Sequence, residues 1–333
     1  MLLEQLQKRA IGFAMEDPIF KLAPLASMLI SNRLLPLYIQ VESTTRCNLK
    51  CKTCRRTDET KSDISLGLFK SIVEQFRNSR FISRRLDLTG LGEPLFHPNV
   101  ALLVKCAKEY GFRVSLTSNF TVASRRDSLD LIKAGLDGLF ASFDGASKQT
   151  FEKIRVGANF DRVVDNVKMF VKAKKELNSR TPKLMFETTI SESNAHEALQ
   201  IIRFAESLGV DGIYIYRQVT SGKQDYDRDS FASIDWKELP ESKIVIQVSS
   251  ATEPVRPCIG VIGCYITFDG KVLPCNRLIQ LAPRAEYSRY QFGDLNRNSL
   301  SEIWFSDEYR QFRNRLALGK YFSICKSCPT SVC

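Results

Sequence analysis

The sequence predicts an α/β protein, with a parallel six-stranded sheet followed by a small hairpin-plus-helix module. Three observations predict it. From Leu37 to Tyr216, short apolar runs alternate with helical patterns, the order that produces parallel sheets. Glycine follows three helical stretches, at Gly111, Gly135 and Gly209, as at helix C-termini. From Cys258 the chain changes to short strands, turn residues and recurring cysteines.

Residues 1–36 read as a helical cap. Leu2, Leu3, Leu6, Ile11 and Phe13 fit a loose helical stripe, and Pro18, Pro24 and Pro36 interrupt the chain beyond it. The apolar run from Phe20 to Ile30 reads as a helix packed on the sheet, with a membrane-surface or partner contact as the alternative. Residues 37–216 form the α/β body. Its strands are expected at Leu37–Glu42, Leu86–Thr89, Arg113–Thr117, Gly138–Ser142, Leu184–Ile190 and Gly212–Tyr216. Its helices are expected at Ser65–Phe76, Asn99–Tyr110, Ser128–Ala134, Phe160–Leu177 and Ala195–Leu208. Residues 217–257 read as a connector, polar from Gln224 to Asp229 and strand-like from Lys243 to Val248. In residues 258–333, Asp269-Gly270 turns a hairpin. A helix from Leu300 to Leu318 comes next, and the segment closes with Cys325-Lys326-Ser327-Cys328 and Cys333.

Composition narrows the function. The chain has 333 residues, 44% hydrophobic, enough for a large core. No apolar run of membrane-spanning length occurs, and Glu4, Lys8, Arg9, Glu16 and Asp17 break any signal-peptide pattern. The expectation is a cytoplasmic chain whose ten cysteines serve metal rather than disulfides. The formal charge of +11 favours acidic partners. With no arginine-rich run, it reads first as a solvated surface and makes nucleic acid an unfavoured partner. The two histidines, His97 and His196, leave little room for histidine-based chemistry.

Cys47, Cys51 and Cys54 follow the first strand with C-x3-C-x2-C spacing. Three soft thiolates on one loop suit an iron–sulfur cluster or zinc. With no fourth ligand nearby, one metal position stays open, as in catalytic sites. The turn Gly90-Leu91-Gly92-Glu93-Pro94 follows the next strand. Its glycines allow close backbone approach to a ligand, and its carboxylate can accept from an ammonium. Thr117-Ser118-Asn119 and Ser142-Phe143-Asp144-Gly145, with Arg155 beyond, mark later strand ends. Read plainly, Ser118, Asn119 and Asp144 are turn formers. Glu187, Thr189 and Tyr216 lie on or near strand ends where a substrate would sit.

Together these motifs resemble the radical S-adenosylmethionine (radical SAM) superfamily over about residues 37–333. The resemblance implies a partial (β/α)6 barrel with its site at the carboxyl ends of the strands. It implies a 4Fe–4S cluster on Cys47, Cys51 and Cys54, whose open iron is chelated by SAM, and reductive cleavage to a 5′-deoxyadenosyl radical. Gly90, Gly92 and Glu93 would hold the methionyl amino group, and Ser142 and Arg155 would touch the ribose and carboxylate, with Asn119 and Asp144 as further contacts. Thr53 stands where the family usually has an aromatic residue. The last segment resembles the SPASM domain and its shortened twitch form. It implies one auxiliary 4Fe–4S cluster on Cys258, Cys275, Cys325 and Cys328, with Cys264 and Cys333 as alternates. A zinc site is the competing reading of the same four thiols. Cys106 reads as a core residue.

The expected function is hydrogen abstraction from a small molecule such as a sugar or cofactor precursor, giving oxidation, decarboxylation, epimerisation or rearrangement. About 36 residues precede the barrel, which leaves little for a peptide-recognition domain, so a peptide maturase is the alternative. A zinc protein binding nucleic acid is more distant. The positive charge suits an acidic substrate, and a flavodoxin or ferredoxin donor docking on Arg310, Arg313, Arg315 and Lys320.

Overall fold

The computed structural model describes residues 24–54, 61–79, 84–218, 228–239, 242–248 and 258–328. The stripe Leu2 to Phe13, residues 219–227, 240–241 and 249–257 of the 217–257 connector, and Cys333 therefore lie outside the described residues.

Among the described residues a ten-stranded sheet runs in the order β10-β9-β8-β1-β2-β3-β4-β5-β6-β7. The first six strands are β1 Tyr38–Val41, β2 Arg84–Asp87, β3 Phe112–Ser118, β4 Gly138–Ser142, β5 Lys183–Ile190 and β6 Gly212–Arg217. They pair in parallel, each with the next, as the alternating pattern predicts. β7 (Val245–Val248) adds a seventh parallel strand beside β6, where the sequence alone suggests a strand-like piece of a connector. β8 (Gly263–Ile266) pairs in parallel with the other side of β1. β9 (Lys271–Leu273) and β10 (Gly293–Asp294) continue outward in antiparallel order. β7 and β10 are the two edges, so the sheet does not close and the barrel is partial.

The helices are α1 Pro24–Ser31, α2 Leu66–Glu74, α3 Val100–Glu109, α4 Arg125–Lys133, α5 Lys148–Ile154, α6 Phe160–Glu176, α7 Ala198–Leu208, α8 Arg228–Ala232, α9 Ile259–Ile262, α10 Leu278–Leu281, α11 Leu300–Trp304 and α12 Asp307–Ala317. Helices α2 to α7 bury apolar faces such as Phe69, Ile72, Val73, Leu103, Val104, Ile201 and Ile202 against the strands. The strands show why the two faces differ. Along β3, Phe112, Val114 and Leu116 are buried in that core, while Arg113, Ser115 and Thr117 line the cavity inside the barrel.

The helical reading needs correction at three points. The span Leu300–Leu318 is two helices, because the Ser306 hydroxyl accepts the Tyr309 N–H and starts α12 afresh. Helix α5 was not anticipated; the Ser147 side chain caps it by accepting the Thr150 N–H, and it carries Arg155 at its C-terminal end. Helix α1 packs on α9 and α12 of the C-terminal module rather than on the barrel. The Trp304 indole N–H donates to the carbonyls of Ser31 and Leu34 at 3.0 and 2.9 Å, tying this entry segment to α11. No described helix is long and apolar enough to cross a membrane.

Candidate functional site

The loop after β1 carries Cys47, Cys51 and Cys54, and it is fixed from three sides. The Glu93 N–H donates to the Arg46 carbonyl at 2.7 Å. Lys50 and Lys52 N–H groups donate to the carbonyls of Val156 and Ile154, both at 2.9 Å. The Arg46 guanidinium forks onto Asp63, Nε to Oδ1 at 3.0 Å and Nη2 to Oδ2 at 2.5 Å. The loop is thus bonded to the Gly-x-Gly-Glu turn and to the segment after α5.

The two glycines serve this packing. A Cβ on Gly92 would stand 2.2 Å from the Thr44 carbonyl oxygen, and one on Gly90 would stand 2.4 Å from Glu42 Cγ. They let the strand and the cysteine loop beside them approach closely, and both also line the cavity described below.

Glu93 is 2% exposed. Its carboxylate accepts the Asn119 N–H at 2.6 Å and the Leu95 N–H at 3.1 Å. Burial nonetheless dominates and raises its pKa to about 7. The Asn119 side-chain amide lies 3.8 Å from Cys47 Sγ and donates to Asn48 Oδ1 at 3.2 Å. Thr121 closes this knot by donating to Asn119 Oδ1 at 2.6 Å. Asn48 and Thr121 were missed in the sequence, where each reads as a loop residue.

Asp144 is fully buried and does not reach the cavity. It accepts the Thr189 N–H at 2.7 Å and holds Arg155 Nε at 2.7 Å, so it positions Arg155. Burial disfavours the Arg155 charge, but Asp144, with Cys51 and Glu187 nearby, offsets this and raises its pKa.

One cavity of about 500 Å³ collects these groups. Cys47, Cys51, Cys54, Gly90, Gly92, Glu93, Asn119, Ser142 and Arg155 all line it, with Thr53, Glu187, Thr189 and Tyr216. Burial, helped by Asp87, raises Glu187 to about 7. Residues that no sequence motif singled out complete the wall, among them Tyr38, Arg85, Asp87, Arg113, Arg217 and Arg277. The arrangement can hold a soft-metal cluster at the thiol end and a polar small molecule beside it.

A second cavity of about 380 Å³ is lined by Cys258, Cys275, Cys325 and Cys328. Burial pushes the Cys258 thiol up to about 12, and Cys328 and Cys325 add to this; burial also raises Cys275 strongly. Such thiols lose their protons readily only to a metal. Ile259 and Arg277 line both cavities, so the two sites share a wall. Cys264 is elsewhere: it is 1% exposed, in the main core on β8, opposite Ile39. Cys333, the other alternate, lies outside the described residues. Among the described residues no three His, Cys, Asp or Glu side chains close around one ion; the thiols surround the two cavities instead.

The docking surface expected on the last helix needs correction. Arg313 is fully buried, with its guanidinium 3.9 Å from the Trp304 ring centre. It donates to the carbonyls of Trp304 at 2.6 Å and Ser31 at 3.2 Å. It fastens α1 to the module and is closed to any partner.

Comparison with known proteins agrees with this geometry. Residues 41–205 match the family model of the radical SAM superfamily. Residues 258–329 match the SPASM model, an iron–sulfur cluster-binding domain. A tungsten-containing aldehyde ferredoxin oxidoreductase cofactor-modifying protein of Pyrococcus furiosus is 25% identical, over 83% of this chain and 83% of its own. An AdoMet-dependent heme synthase of Methanosarcina barkeri is 23% identical, over 88% and 91%. Among solved structures, Streptococcus suis SuiB bound to its precursor peptide SuiA superposes with a TM-score of 0.65 at 16% identity, covering 93% of this chain and 74% of that one. Native anSMEcpe with bound AdoMet also gives 0.65, at 16% identity, covering 88% and 86%. At these identities the two superpositions establish the fold.

Proposed function

The chain belongs to the radical SAM superfamily and is an enzyme with a SPASM domain, and from this premise we propose that it abstracts hydrogen from an acidic small molecule held inside the barrel. Its cofactors are a 4Fe–4S cluster with SAM, and an auxiliary iron–sulfur cluster. When bound, the first of these supplies the electron that cleaves SAM to a 5′-deoxyadenosyl radical.

In this reading Cys47, Cys51 and Cys54 hold the first cluster, and their place on one cavity wall with Glu93 supports it. Glu93, ionised, accepts the methionyl ammonium. Arg155, charged and held by Asp144, takes the SAM carboxylate, and Ser142 faces the ribose. Cys258, Cys275, Cys325 and Cys328 hold the auxiliary cluster, as their shared cavity supports.

The observation that carries the small-molecule reading is the charge inside the cavity. Arg85, Arg113, Arg155, Arg217 and Arg277 line it against Asp87, Glu93 and Glu187. Glu93 is taken up by SAM in this reading, and burial raises the pKa of Asp87 and Glu187 and so weakens their negative charge. An acidic substrate complements that field. The relatives named for a heme synthase and for cofactor modification point to small-molecule chemistry as well.

The test is anaerobic. Reconstituted protein receives SAM, a reductant and either the small-molecule or the peptide fraction of a cell extract. Faster 5′-deoxyadenosine release with the small-molecule fraction alone is expected. Stimulation by the peptide fraction alone would replace this reading with a peptide maturase.

A further inference from the structure

The loop between β5 and α7, residues 191–197, grips the front of the segment that carries Arg155. Asn194 Nδ2 donates to the Asp144 and Thr189 carbonyls, each at 2.9 Å. Glu197 then takes the turn that leads into α5. Its carboxylate accepts the Ala146 and Ser147 N–H groups at 2.7 and 3.1 Å, and the Ser147 and Thr150 hydroxyls, both at 2.6 Å.

Four donors on one carboxylate are more than a helix start needs. Ser147 already caps α5 on its own, its side chain accepting the Thr150 N–H at 3.2 Å. Glu197 arrives from 50 residues away in the chain and is 5% exposed. Burial works against its charge, yet the Ser147 and Thr150 donors and the two amides hold its pKa below the ordinary carboxylate value. The exposed His196 ring lies 3.8 Å from it.

What the segment carries gives this grip its use. Helix α5 is seven residues, about 10 Å of rigid element. At its far end the Arg155 N–H donates to the Phe151 carbonyl at 2.8 Å, and Arg155 Nε meets Asp144 at 2.7 Å. The Ile154 and Val156 carbonyls receive Lys52 and Lys50 of the cysteine loop. The front of the segment has no room to slide, since a Cβ on Gly145 would stand 2.6 Å from the Phe151 nitrogen. A shift at Ala146–Thr150 therefore passes along the helix to Arg155.

We propose that Glu197 is a positioning residue for SAM, setting the place of Arg155 through α5. Glu197 is not among the residues lining the cavity, so it acts without touching the cofactor. The inference rests on the SAM-carboxylate role proposed above for Arg155, and adds what aims that guanidinium.

SAM affinity is measured by anaerobic equilibrium dialysis on the reconstituted protein, in wild type, Glu197→Gln, Arg155→Ala and the double variant. Glutamine keeps the size of the side chain but offers one acceptor oxygen in place of two. Arg155→Ala should weaken SAM about tenfold or more, the size expected when a charged donor is removed. Glu197→Gln should weaken it about fivefold, and should add nothing in the Arg155→Ala background. Asp211→Asn is the control. That carboxylate accepts the Leu184 N–H at 2.8 Å and pairs with Lys174, and its loss should lower the urea midpoint while leaving SAM affinity as in the wild type. Should Glu197→Gln not fold, Thr150→Val takes its place. It removes one of the four donors and keeps the shape, with about a threefold weakening that also vanishes without Arg155. Unchanged affinity in Glu197→Gln beside a weakened Arg155→Ala would overturn the inference. So would the same loss with and without Arg155, or an equal loss in Asp211→Asn. Unchanged affinity in Arg155→Ala would instead overturn the role of Arg155 on which the inference rests.

Discussion

Glu93 sets the pH behaviour expected of the SAM site. Burial raises its pKa from 4.5 to about 7, and burial does the same to Glu187. The folded chain therefore binds these two protons more tightly than the unfolded chain. The stability they confer is fully present below pH 4.5 and is lost as pH rises through about 7. Under the role proposed for Glu93, SAM binding has the opposite sign, because the ammonium would need the carboxylate. Without SAM, the denaturation midpoint should fall between about pH 5 and about pH 8, while SAM affinity rises over the same window. Glu93→Gln should weaken SAM binding and flatten its pH profile, as equilibrium dialysis at several pH values would show; an unchanged profile would remove Glu93 from the site. That Cys47, Cys51, Cys54 and Glu93 come together on one cavity was legible because each belongs to a contiguous motif. Arg85, Arg113 and Arg277 were not, because inward orientation depends on strand register and on a distant module meeting the barrel. Arg313 was misread as a surface charge. Its signal was present in the spacing Tyr309, Arg313, Leu316, one buried stripe of α12.

At the scale of elements, the Gly90–Pro94 turn is braced by the C-terminal module. Glu42, fully buried at the end of β1, receives Arg284 Nη2 at 2.6 Å, and the Leu91 N–H points at it from 3.5 Å. Breaking a buried ion pair leaves an uncompensated charge. Arg284→Ala should cost about 3 kcal/mol in urea unfolding and weaken SAM binding. A loss below about 1 kcal/mol would mean that the pair behaves like an exposed one. The six central strands and five of their helices could be read from periodicity, with ends shifted by a few residues. β7 was legible as a strand-like piece at Lys243–Val248, but its place as a seventh parallel strand beside β6 was not, because four half-buried residues at a sheet edge carry no sign of their neighbour. The short helix α5 was hidden for a related reason, since seven residues are too few to establish a period.

The whole molecule is one sheet rather than a barrel with an appendage. β8 belongs to the C-terminal module yet pairs with β1 along all four of its residues. A chain ending at residue 257 would expose that strand edge, and with it the apolar surface that Cys264 and Ile266 cover. It should be insoluble or lack a cooperative transition by circular dichroism; a soluble, cooperatively folded fragment would show that the barrel is independent. The central claim, that Cys47, Cys51 and Cys54 support reductive SAM cleavage beside a second cluster, has a direct test. The protein is reconstituted anaerobically, its iron is counted, and dithionite and SAM are added. The account predicts about eight irons per chain, with 5′-deoxyadenosine formed by the wild type and none by Cys47→Ala. Zinc in place of iron, or equal 5′-deoxyadenosine from Cys47→Ala, would contradict it.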